Sequence, residues 1–224
     1  MRLPYQRLRL GRRAHSPSCR KEWNRYPHTL SQHSMAQLKR LATIHTLNDM
    51  VVVLAHFMLV LRQFTGQDDI LIGVFPGSNR EQRGHDAGPS VLKGMVPVRV
   101  DFSSLTTVEE MVTGVGKLYA DVLRGASADA ESLMERKSER FGIGERELVQ
   151  VTFGSASNGA MGQLGPVNSD HELELLVSVE SSGTLQMWYD PRRVERMSLE
   201  GMILTLEHNI QMDSLVRCGA TATQ

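Results

Sequence analysis

Residues 46–74, TLNDMVVVLAHFMLVLRQFTGQDDILIGV, hold the longest apolar run of the chain followed by a second, shorter one. Thr46 with Asp49 three positions on puts a hydroxyl and a carboxylate where side chains can satisfy the unpaired amides of a helix start, so a helix is predicted to open at Thr46. From Met50 to Leu61 only His56 is polar, and a helix with no solvated face must be enclosed on several sides. It is short of the ~20 apolar residues that span a bilayer. Gly66 supplies a C-cap that tolerates positive φ, and Gln67-Asp68-Asp69 turns the chain into Ile70-Leu71-Ile72-Gly73-Val74, a strand apolar on both faces. Phe75-Pro76-Gly77-Ser78-Asn79-Arg80 leaves that strand in a turn. After a polar loop, Met95 to Asp101 reads as a second strand with Pro97 near its start or edge.

Outward from this stretch the pattern is of alternating helices and strands. Residues 1–30 lack periodicity and are broken by Pro4, Pro17 and Pro27, which reads as a basic, poorly structured arm or linker. Residues 31–213 read as one folded domain and 214–224 as a loose tail. Met35, Leu38, Leu41 and Ala42 share one face of a short helix opened by Ser31 or Ser34. Thr107 with Glu110 caps a longer helix whose Val108, Met111, Val112, Val115, Leu118, Tyr119, Val122 and Leu123 form a one-sided stripe. Residues 126–146 are mostly charged and polar. Leu148 to Phe153 reads as a strand and runs into a Gly-rich loop from Gly154 to Pro166.

Leu173, Leu175, Val177 and Val179 then alternate with Glu172, Glu174, Ser178 and Glu180, which predicts a strand with one wet face. Ser182-Gly183 returns it into Thr184–Tyr189 as a hairpin. A last helix begins between Glu195 and Ser198 and buries Leu199, Met202, Ile203, Leu206 and Ile210. The hairpin forbids a purely parallel sheet, so the fold class is α/β with a mixed β-sheet flanked by helices. The expected core is Val51, Leu54, Met58, Leu61, Ile70 and Ile72 with Val115, Leu118, Leu175 and Val177.

At 224 residues, 41% hydrophobic and 22% charged, the chain can bury one substantial core. Twenty-five basic and twenty-five acidic side chains cancel, which gives no overall field for nucleic acid or an anionic membrane, and neither is expected as a partner. The balance is local: in residues 1–25 eight basic side chains face Glu22 alone, leaving +7 there and −7 elsewhere. No apolar signal-peptide core is present in this stretch. Cys19 and Cys218 carry no motif, so neither a disulfide framework nor a zinc site is expected, and the default compartment is a reducing cytoplasm.

Thr46-Leu47-Asn48-Asp49, Thr65-Gly66-Gln67-Asp68-Asp69, Ile72-Gly73 and Val96-Pro97-Val98-Arg99-Val100-Asp101, in this order and spacing, resemble the second half of a nonribosomal peptide synthetase condensation domain. The resemblance runs to about Gln211. It implies a chloramphenicol acetyltransferase-like half-domain and substrates carried as phosphopantetheine thioesters on carrier proteins, with no bound cofactor. It also implies an N-terminal condensation half, or synthetase neighbour, as partner. Such enzymes join an acyl or peptidyl thioester to an amine, using a His-His-x-x-x-Asp-Gly motif in their N-terminal half.

That motif is absent, since no two histidines are adjacent. The nearest pattern is His45-x-x-x-Asp49 followed by Met50, where the motif's Gly would let the backbone turn tightly, and it makes His45 the sole, weak catalytic candidate. His56 reads as a core histidine bonded to nearby backbone, and His85 as a solvated loop residue. Ser78, Asn79 and Arg80 stand where the resemblance places a turn on the tunnel floor, which makes them candidates for contact with substrate or carrier. Gly94 stands where the family carries Asn, which removes a side-chain amide. Ser157 lacks the following helix of a hydrolase elbow, and the Gly-rich loop lacks nucleotide-binding spacing. The expected role is therefore to wall a thioester tunnel. The alternatives are a non-catalytic remnant that docks carrier proteins, or an independent acyltransferase.

Overall fold

The computed structural model of the chain describes residues 23–75, 95–104, 107–123, 149–155, 173–178 and 183–219. In chain order these form β1 (Asn24–Thr29), α1 (Gln32–His45), α2 (Asp49–Thr65), β2 (Asp69–Phe75), β3 (Val96–Asp101), a single 3-10 turn, α3 (Val108–Leu123), β4 (Val151–Ser155), β5 (Leu173–Ser178), β6 (Thr184–Tyr189) and α4 (Arg196–Gly219). The described strands make one six-stranded sheet in the order β1-β6-β5-β4-β2-β3. The β2–β4 and β4–β5 pairs are parallel and the other three antiparallel, so the sheet is mixed, as the hairpin required.

The apolar run at 50–61 becomes the middle of α2, and every residue from Met50 to Met58 is buried. Its start differs from the expectation. Thr46 does not cap α2: helix α1 runs as far as His45, so Thr46 is consumed as its C-cap in the left-handed region (φ 55°, ψ 44°), and its N–H donates to the Ala42 and Thr43 carbonyls. A β-branched residue is strained there. Asn48 takes over as N-cap, its Oδ1 accepting from Met50 N–H at 2.8 Å. The C-cap at Gly66 (φ 66°) is as expected. His56 is fully buried, and its Nδ1 donates to the Val52 carbonyl at 2.8 Å, the core role read from its surroundings.

Four further expectations need correction. Residues 214–219, expected in the loose tail, continue α4, which runs to Gly219. The arm assigned to residues 1–30 extends too far, because Asn24–Thr29 pairs antiparallel with β6 as an edge strand. Pro27 is tolerated at an edge, and it hid the strand from the pattern. Leu118 is 39% exposed rather than core. The buried side of α3 is Met111, Val112, Val115, Gly116 and Tyr119, turned toward Gly116 because Leu47 of the α1–α2 elbow packs onto that glycine. Strand β5 is buried on both faces, with Glu174 and Ser178 almost fully enclosed and each engaging a partner. The remaining expected core residues, from Val51, Leu54, Met58 and Leu61 of α2 to Leu175 and Val177 of β5, are all buried.

Helices α1 to α4 cover one face of the sheet, where Leu175, Val177, Leu185, Met187, Ile70, Ile72, Val98 and Val100 join α2 in one core. On the opposite face Leu71, Phe75, Met95 and Val149 form a separate small cluster. Gly73 makes room for it: a Cβ at 73 would stand 2.3 Å from the Met95 sulfur. Gly73→Val is expected to cost about 1–3 kcal/mol by overpacking. Met95→Ala in the same chain recovers part of that loss in a urea melt, since the two side chains compete for one space.

Candidate functional site

In open α/β sheets ligands gather outside the carboxyl ends of the parallel strands. Here β2, β4 and β5 run parallel and end at Phe75, Ser155 and Ser178. Phe75 is in register with Gly154, so the segment beginning at Pro76 and the Gly-rich segment beginning at Ala156 leave neighbouring strands, about 4.8 Å apart. Met95 enters β3 at this same end, since Val96 pairs with Val74. The short link from Thr65 to Asp69 makes α2 run back against β2, which carries the first turn of α2 toward the same end.

Ser78, Asn79 and Arg80, like His85, Gly94 and Ser157, lie outside the described residues. His45 is half-buried in the last turn of α1, and Asp49 is in the first turn of α2. The two helices meet at 103°, so the His-x-x-x-Asp spacing is split across an elbow instead of lying in one loop. A surface groove of about 640 Å³ beside the elbow is lined by Lys39, Ala42, Thr43, Thr46, Leu47 and Asp49. At the opposite end of the sheet, Arg99 is held by Asp69 on the paired strand, with Nε donating to Oδ1 at 2.7 Å and Nη2 to Oδ2. Among the described residues no group of His, Cys, Asp and Glu side chains could hold a metal ion.

A cluster that sequence reasoning missed joins β1, α1 and α4. Glu207 Oε1 accepts from Ser31 N–H at 2.9 Å and from Ser34 Oγ at 2.6 Å, and Gln211 Nε2 donates to Ser34 Oγ at 2.8 Å. His28 Nε2 lies 2.9 Å from Glu207 Oε2, and because a carboxylate only accepts, the imidazole donates. Burial pushes the Glu207 carboxyl up, but the hydrogen bonds from Ser34, Ser31 and His28 together outweigh it and bring it down from 4.5 to about 2. The residue types are those of a hydrolytic triad, yet here the carboxylate stands in the middle. Serine and histidine both spend their bonds on Glu207, so the arrangement is a clasp on the start of α1 rather than a nucleophile paired with its base. The signal was an acid at a position bordering the buried stripe of α4.

The sequence profile of the condensation domain family matches residues 3–165, well over half of the chain. The chain belongs to the condensation domain family. No curated protein matches the sequence. Among solved structures, this condensation-domain chain is similar to the condensation domain of the Monacolin K polyketide synthase MokA (19% identity, TM-score 0.62), covering 91% of this chain and 52% of that one. It is also similar to the EpoB cyclization-docking bidomain of a nonribosomal peptide synthetase from Sorangium cellulosum, with 16% identity, a TM-score of 0.66, and coverage of 94% and 45%. The four-domain synthetase AB3403 matches over 95% of this chain and 18% of its own length, at 14% identity and a TM-score of 0.60.

This condensation-family chain thus spans about half the length of the first two structures it matches. At such identities the likeness is one of fold. It agrees with the mixed sheet and one-sided helix layer described above, the chloramphenicol acetyltransferase-like architecture. No single helix among the described residues is long and apolar enough to cross a membrane.

Proposed function

We propose that this chain is the C-terminal half of a condensation-type acyltransferase in nonribosomal peptide or related acyl-carrier biosynthesis. In this reading it walls a tunnel fed by phosphopantetheine thioesters on carrier proteins. The family membership, combined with a span of about half of the MokA and EpoB structures, carries the proposal. The sheet adds support: the segments bearing Ser78, Asn79 and Arg80 and the Gly-rich segment leave adjacent strands at the end where such sheets bind ligands.

The reaction transfers an acyl group. An amine nitrogen attacks the thioester carbonyl, the C–N bond forms, the C–S bond breaks, and the amine's proton passes by way of a base to the departing thiolate. The base comes from the histidine motif of an N-terminal half. This half contributes positioning, with Arg80 orienting polar groups of the thioester arm or carrier.

The test is complementation. The chain alone is expected to leave carrier-bound donor and acceptor unreacted, and adding a separately expressed N-terminal half with His-His-x-x-x-Asp-Gly is expected to start amide or ester formation. Arg80→Ala in the mixture should lower kcat/KM by about tenfold or more. A mixture that assembles yet stays inert would overturn the enzymatic reading in favour of the carrier-docking remnant, which the Gly94 departure favours. Turnover by the chain alone, abolished by His45→Ala in a folded protein, would establish an independent acyltransferase instead.

A further inference from the structure

Between Gln32 and Thr65 the sequence contains neither Gly nor Pro, and nothing in Thr46-Leu47-Asn48 forbids a helix from running straight through. The chain nevertheless bends by 103° there. The bend is closed by Leu47 N–H donating to the Ala42 carbonyl at 2.8 Å, which puts Thr46 at the position where helices usually end on Gly. Among the described residues Thr46 is the one with positive φ that is not Gly, and a β-branched side chain is strained in that region. Two contacts offset the strain. Asn48 caps α2, and Leu47 sits against Gly116, where a Cβ would stand 2.6 Å from its Cδ2. The elbow is therefore a strained hinge whose own sequence has a helical alternative.

We propose that this hinge lets the chain form a domain-swapped dimer, in which β1 and α1 of each copy dock on the other copy. Unbent, residues 46–48 join α1 and α2 into one helix and carry β1 and α1 away together. The surface that receives them is the one they already occupy: β1 pairs with β6, and the start of α1 is held by Glu207 and Gln211 of α4. A second copy offers the same partners unchanged, so the closed monomer and the swapped dimer differ chiefly at the hinge. There the swap relaxes the Thr46 backbone and extends the helix, at the cost of the Asn48 cap and the Leu47 seat. Short hinges under strain are the ones that tip this balance. Reaching the dimer requires β1 and α1 to come off first, so the choice between the two forms is made while the chain folds or opens.

The test is refolding from urea at roughly 1 and 100 μM followed by gel filtration, because a swap made during folding grows with concentration. A dimer fraction that rises with the refolding concentration is expected. Thr46→Gly removes the strain of the bend and disfavours the straight helix, and it should lower that fraction about fivefold or more. Thr46→Ala favours the helix and leaves the bend strained, so it should raise the fraction. Thr46 is exposed, which permits both variants to fold, and circular dichroism checks that they do. The arrangement itself is read by a short thiol cross-linker in a chain carrying Thr29→Cys and Thr184→Cys, with Cys19→Ser and Cys218→Ser removing the native thiols. Positions 29 and 184 are opposed in the β1–β6 register, so the swapped dimer is cross-linked between chains and the monomer within one. A monomer at both concentrations, a dimer whose cross-links stay within chains, or a dimer fraction indifferent to Thr46→Gly would each overturn the proposal.

Discussion

Leu54→Ala is expected to lower the unfolding free energy of this chain by about 2–5 kcal/mol, the lost burial of the side chain plus the cavity it leaves. Leu54 is fully enclosed in the middle of α2, a helix buried from Met50 through Met58. Helix α2 is packed by α1, α3 and α4 as well as by the sheet, so no single neighbour can close the space. Against the roughly 5–15 kcal/mol of a typical domain, that loss takes a large share. The measurement is a urea melt, in which the midpoint falls while the slope stays constant. Leu118→Ala is the internal control, costing less because that side chain is 39% exposed. Equal midpoints for Leu54→Ala and the unmodified chain would mean that α2 is not the enclosed centre of the fold.

The contrast between Leu54 and Leu118 shows what one-dimensional pattern can read. A run with His56 as its only polar residue forces enclosure whatever the neighbours are, and the strand at Ile70–Val74 is bounded by turn residues on both sides, so both elements were legible. Leu118 lay on a correct stripe, but the centre of that stripe was fixed by Leu47 meeting Gly116, a contact between segments far apart in the chain. Edge strand β1 was hidden because Pro27 and the charged residues around it suit an edge as well as a coil, and only pairing with Thr184–Tyr189 distinguishes the two. The elbow failed for a related reason. Thr46 and Asn48 are both good caps, and the choice depends on where α1 stops. At the candidate site, the order of segments was readable, but that two of them leave neighbouring strands needed the parallel register of β2 with β4.

The Glu207 clasp yields the last expectation, a stability that depends on acid. The folded-state carboxyl titrates at about 2 instead of 4.5, so the unfolded chain binds a proton that the folded chain refuses over the interval between those values. The clasp's stabilisation is therefore complete above about pH 4.5, declines as pH falls through the interval, and is gone below about 2. At neutral pH the gap corresponds to at most about 3 kcal/mol, reduced by the solvent that reaches the carboxylate. Glu207→Gln removes the charge while keeping size and one acceptor oxygen for Ser31 and Ser34. Urea melts of both proteins at pH 7, 4 and 3 should show the variant less stable at pH 7 and the difference shrinking as pH falls. Because His28 also binds this carboxylate, edge strand β1 should be the first element released, seen as faster exchange of its amide protons at low pH in the unmodified chain. A stability difference that is the same at pH 7 and pH 3 would show that Glu207 acts through shape alone, and that β1 is held by its pairing with β6 rather than by the carboxylate.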